Sequence, residues 1–177
     1  MIIKDADGQS LKINDEGRLM AEASCWDHVA KVSDYQQESY SWAVSYDYDA
    51  GDVVLCIRND DRDKHLHIAC LALGATANTL VTVYCPETIA VGDGAEIEPV
   101  NLNRGSSNEA NATAYRDGTA AEANYVFYLR LIANIPFTAN CYGALILEYN
   151  DCFAIKYATN ADNGVATVWG FFENPHS

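Results

Sequence analysis

The sequence predicts an all-β protein. Short apolar runs recur with turn signals between them, and few are long enough for a helix. Eleven Tyr, three Trp and five Phe favour strands and large contact surfaces. A chain of 177 residues, 49% hydrophobic and 20% charged, is ordered globular material with enough length to bury one core.

Taken in order, the first strand falls at SWAVSYD (41–47), where Trp42, Val44 and Tyr46 alternate with Ser41, Ala43 and Ser45. DYDAGD then turns, and DVVLCIR (52–58) is apolar on both faces, as a central strand is. After the turn NDDRDK come HLHIACLAL (65–73) and TLVTVYC (79–85), with GATAN between them. ANYVFYLRLIA (123–133) follows TAAEA, which could open a helix, but Tyr125, Val126, Phe127 and Tyr128 make it a strand. CYGALILEY (141–149) and CFAIKYA (152–158) flank Asn150-Asp151, which reads as a tight hairpin turn. GVATVWGFFE (164–173) closes the set. The stretch beyond Pro86 reads as irregular, and 105–123 as a long surface loop. Strands at this spacing bury their inner faces by packing as two sheets, which predicts a jelly-roll-like β-sandwich over 41–177.

Residues 1–40 are more polar and form an N-terminal extended arm or hairpin. Their apolar anchors, Ile2, Ile3, Leu11, Ile13, Leu19 and Met20, are the candidate partner-binding residues. The opening MIIKDADGQSLKIND has no apolar stretch of signal-peptide length, and no segment approaches a membrane span, so the expectation is cytoplasmic synthesis without membrane insertion.

Eleven basic residues against twenty-five acids leave a formal charge of -14, which repels phosphate backbones and argues against nucleic-acid binding. His65 and His67 share a strand face, but no third metal ligand accompanies them, and surface histidines are the reading favoured. Acidic clusters occur at Asp5–Asp7, Asp47–Asp52 and Asp60–Asp63; the first two resemble the start of a calcium loop and make calcium the cofactor candidate, although neither continues to a closing Glu and Asp and Gly also serve as turn formers. There is no GxSxG elbow, and the GDG at 92–94 precedes no helix, so neither nucleophilic catalysis nor phosphate binding is expected. Tyr35, Tyr40, Tyr46, Tyr48, Tyr115 and Tyr142 offer rings for sugar faces, but packing in the core or a subunit interface is the reading favoured.

Four segments, GDVVLCIRND (51–60), PVNLNRGSSNEANAT (99–113), LILEYNDCFAI (145–155) and VATVWGFFE (165–173), give the order of features in 51–173 a resemblance. It resembles small β-sandwich proteins carried on tailed-phage virions as capsid decoration (cement) or head-fibre proteins. The opening DADGQSLKINDEGRL is similar to their leading segment, which can attach the domain to the particle. The resemblance implies a non-enzymatic virion structural protein, made in a host cytoplasm and bound to a capsid or other virion protein. It further implies a homo-oligomer, with a trimer as one form, and it carries over no catalytic or ligand residue. The alternative is a carbohydrate- or receptor-binding module; a small β-barrel enzyme is more distant.

Cys25, Cys56, Cys70, Cys85, Cys141 and Cys152 form no zinc spacing, and four of them sit in or beside apolar runs. Thiol counting on denatured native protein should therefore find six free groups. Two or more disulfides would instead indicate a secreted origin.

Overall fold

The structure, a computed structural model, describes residues 37–159 and 163–175. They form two antiparallel sheets packed as a β-sandwich, and no helix occurs among the described residues. The strands are β1 (Ser39–Tyr46), β2 (Val53–Asn59), β3 (His65–Ala75), β4 (Thr79–Tyr84), β5 (Ile89–Ala90) and β6 (Val100–Asn101). They continue with β7 (Ala112–Ala120), β8 (Tyr125–Leu131), β9 (Phe137–Leu147), β10 (Cys152–Tyr157) and β11 (Gly164–Glu173). A five-stranded sheet runs β6-β1-β11-β3-β9, and a six-stranded sheet runs β5-β7-β2-β10-β4-β8.

The pairing is nested. β1 bonds β11, β2 bonds β10, β3 bonds β9 and β4 bonds β8. Among the described residues no strand bonds to its neighbour in sequence. This corrects the hairpin expected at Asn150-Asp151. The turn is tight, with Asn150 at a φ of 69° and the Asp151 amide donating to the Glu148 carbonyl at 3.0 Å. However, β9 stays in the five-stranded sheet while β10 enters the other, between β2 and β4. Leu147 packs inward on one side of the turn and Phe153 on the other, so burial separates the two strands into opposite layers.

The core lies between the sheets. Trp42 and Val44 from β1, Leu66, Ile68 and Leu71 from β3, and Ala166 and Val168 from β11 meet Leu55 and Ile57 of β2, Val81 and Val83 of β4, and Phe153 and Ile155 of β10. Fully burying each large apolar side chain here contributes about 1.5–3 kcal/mol. β2 is also buried on its outer face, as its unbroken apolar run predicts. Val53 and Cys56 join Tyr84, Ile89, Cys152 and Ala154 in a second cluster outside the six-stranded sheet.

That cover comes from the segment read as loop. β7 occupies Ala112–Ala120, inside the stretch expected to be irregular, and pairs with β2 from Asn59↔Ala112 to Val53↔Gly118. Its residues are small and polar and gave no apolar period; the open edge of β2 supplies the reason to extend. The 92–94 glycines serve packing here. A Cβ on Gly92 would stand 2.2 Å from the Asp117 carbonyl oxygen, and one on Gly94 2.0 Å from that of Arg116. Only glycine lets the chain lie this close on β7.

Two buried side chains join the layers. At one end Asn59, fully buried, donates from Nδ2 to the carbonyls of Lys64 and Leu147, both at 2.9 Å, and accepts from the Asp61 amide at 2.9 Å. At the other, Tyr157 of β10 donates to the Val165 carbonyl of β11 at 2.9 Å. Replacing Asn59 by Ala strands two buried carbonyls, each costing about 1–3 kcal/mol. We expect Asn59→Ala to lose about 2–4 kcal/mol in denaturant unfolding. Asn59→Asp should lose a similar amount despite its shape, because it presents oxygen to both carbonyls.

Candidate interaction surfaces

The candidate anchors Ile2, Ile3, Leu11, Ile13, Leu19 and Met20 lie outside the described residues, as do Cys25 and the acidic turn at Asp5–Asp7. The described chain enters at Gln37, whose carbonyl accepts from Asn101 Nδ2 at 2.9 Å. Glu38 pairs with Lys64, and its carbonyl accepts from the Phe172 amide at 3.0 Å. The first strand thus starts two residues earlier than expected, and Tyr40 is fully buried.

The acidic turns are built as turns. Asp52 accepts from the Asp49 amide at 2.8 Å, and Asp61 Oδ1 accepts from the amides of Asp63 at 2.9 Å and Lys64 at 3.1 Å. Among the described residues no group of three His, Cys, Asp or Glu side chains is placed to hold a metal ion. His67 stacks on Phe171, centroids 4.9 Å apart at 7°, with Nδ1 3.0 Å from the Gly143 carbonyl. The thiols are held protonated: burial pushes Cys56 up to about 12 and Cys152 up to about 11, and raises Cys85 and Cys141.

Two outer faces are open. The first is that of the five-stranded sheet. Its four long strands, β1, β3, β9 and β11, hold a single carboxylate, Glu173 at the last position, in a chain with twenty-five acids. The register lays outward-facing residues in cross-strand rows. Ser41 pairs with Trp169, Trp169 with Cys70, and Cys70 with Asn140. Ala43, Thr167, Ala72 and Thr138 form the next row, and Ser45, Val165 and Gly74 the third. None of these residues carries a charge, and nearly all are small.

The second is the outer face of the six-stranded sheet at its β8 edge. Tyr125 and Tyr128 are 50% and 56% exposed, with ring centroids 5.2 Å apart at 31°. The Tyr125 hydroxyl donates to Glu122 at 2.8 Å, and Lys156 pairs with the same carboxylate at 2.5 Å. Lys156 and then Tyr125 hold the Glu122 carboxyl below the usual range, so the trio is intact at neutral pH and separates as pH falls through that lowered value. The exposed rings are therefore not those picked out from the sequence. Tyr40 and Tyr48 pack in the core, as the favoured reading had it, and Tyr115 packs on the outer cluster. Tyr35 and the side chains of Tyr46 and Tyr142 lie outside the description. The signal for Tyr125 and Tyr128 was Arg130, a charge in an otherwise apolar strand, which marks an edge.

Glu122 raises the titration of the Tyr125 phenol, because ionising it would abandon a donated bond beside an anion. Glu122→Gln should therefore bring Tyr125 down toward the ordinary phenol value, read from tyrosine Cζ chemical shifts against pH. Tyr157, raised by burial, should stay where it is. No family model matches this chain, and neither a curated protein nor a solved structure matches it.

Proposed function

We propose that this chain is a non-enzymatic structural protein of a tailed-phage virion. It acts as a capsid decoration (cement) or head-fibre component that binds a particle surface through protein–protein contacts and assembles as a homo-oligomer. We further read its sandwich as jelly-roll-like. The nested pairing supports that reading, since pairings 1–11, 2–10, 3–9 and 4–8 are those of one long hairpin folded over into two layers. Of the four segments that carry the resemblance, three are β2, the β9–β10 crossing and β11, which contribute to the core, and the fourth, 99–113, runs from β6 to the start of β7.

The observation that carries the proposal is the uncharged outer face of the five-stranded sheet. A chain of formal charge -14 has acid to spare, and bare β-sheet without it is a surface suited to protein contact. Residues 1–36 supply the attachment, with Ile2, Ile3, Leu11, Ile13, Leu19 and Met20 docking in a partner's grooves. A second reading, a carbohydrate- or receptor-binding module, is favoured by the Tyr125–Tyr128 ring pair with Glu122 beside it. A glycan array separates the two: specific capture of a sugar, lost in Tyr128→Ala, would favour the second.

The attachment test compares the full chain with one beginning at Gln37, which keeps Glu38 and the buried Tyr40 in place. The full chain should co-sediment with particles from its source. The shortened chain should keep a cooperative melt and lose attachment. Unchanged affinity of the shortened chain would refute the role given to the arm.

A further inference from the structure

We infer that the outer face of the five-stranded sheet is where a second copy of this chain docks, face to face across a two-fold axis. The inference rests on the homo-oligomer part of the proposed function and names its surface.

Charge selects the occupant. Two copies of formal charge -14 repel at nearly every approach, and the repulsion is least where neither presents an acid. The rows from Ser41 to Asn140 and from Ala43 to Thr138 meet that condition across four strands. A basic partner would be drawn elsewhere, to the groove of about 340 Å³ lined by Glu96, Glu98 and Glu109, and would gain nothing from a neutral sheet. Bulk on the face is unevenly spread: Trp169 and Val165 stand among the small residues Ala43, Ala72 and Thr167. A two-fold rotation sets the same neutral rows against each other, the isologous arrangement most common in homo-oligomers.

Four strands ~4.8 Å apart, each contributing about seven residues of ~3.4 Å, frame a footprint on the order of 450 Å². That falls below the ~800 Å² per partner of a standard interface. Ile146 of β9, opposite His67 on the same face and 45% exposed, adds apolar area, and the contact is a weak, reversible one at the low end of specific interfaces.

Sedimentation equilibrium on the purified full chain tests this without any particle, so it can fail while attachment to the particle stands, and the reverse. Wild type should associate. Thr167→Arg and Thr167→Glu, at the middle of the face, should each weaken association by roughly a hundredfold or more, because either sign leaves an unpaired charge in the contact. Both should keep the wild-type circular dichroism spectrum. Thr119→Arg, on exposed β7 of the other sheet, should associate like wild type and shows that an added charge alone is harmless. Association of Thr167→Arg equal to wild type would overturn the inference, as would a monomeric wild type. If wild type is monomeric and Thr167→Arg speeds proteolysis within residues 1–36, the face belongs to the chain's own leading segment and the inference fails.

Discussion

The sandwich depends on Asn59. A chain that changes sheet at almost every connection must pass its backbone over the end of the core repeatedly, and each passage leaves carbonyls with no ladder partner. Asn59 sits where β2 ends, bonds the carbonyl of Lys64 before β3, and bonds the carbonyl of Leu147 where β9 ends. Its own amide donates to the Asp151 carbonyl at 3.1 Å, and its own carbonyl accepts from the Asn150 amide at 2.8 Å. One side chain and its peptide groups therefore set two crossings at once, β2 to β3 and β9 to β10. Without these bonds the inner faces would still be apolar, but at this end of the sandwich nothing polar would fix the offset of one layer over the other, and the Tyr157–Val165 bond at the other end would stand alone.

The two layers then meet solvent differently. The six-stranded sheet is covered over β2 and β10 by β7, β5 and the glycine-containing segment between them, which is why Cys56 and Cys152 are buried although they point away from the main core. Only its β8 end is left open. On the outside of the five-stranded sheet Gly143 of β9 lies against Phe171, which is buried there with Ala69, and beyond that end the face is open. Its inner face carries most of the bulk, Trp42 and Leu71 among it, while the middle of its outer face carries Ser, Ala and Thr with Trp169, Cys70 and Val165, none of them charged. The same alternation that builds the core thus strips the opposite face of charge.

Much of this was legible in the residues. β1 to β4 and β8 to β11 announce themselves because half of each is bulky and the core demands it. β7 does not: Ala112, Thr113 and Ala114 form a strand because β2 has an edge to fill, a fact held in the tertiary fold. Turn chemistry at Asn150-Asp151 was readable, but the destination of the strand after it was not, since local sequence sets the bend and distant burial sets the sheet. The neutral face was visible only in pieces. Ser41, Ala43 and Ser45 alternate plainly in β1, yet their row-mates on β11, β3 and β9 are scattered over the chain and come together only through register. Exposure of the tyrosines followed position in the sheet, edge or centre, which composition does not encode.

The nested pairing also fixes when the molecule can form. β1 bonds β11, with Ser39 opposite Phe171, so the first described strand has its central partner only after the last has been made. At ~5–20 residues per second of synthesis, β1 waits roughly 7–26 s. With no strand bonded to its sequence neighbour among those described, no local hairpin can hold the nascent chain in the meantime. Closure of the sandwich therefore waits for β11 and is slow, governed by loop closure over most of the span from β1 to β11. During that interval the apolar strands stand open to other chains, and there the abundant acids act kinetically, keeping nascent copies apart until each has closed on itself.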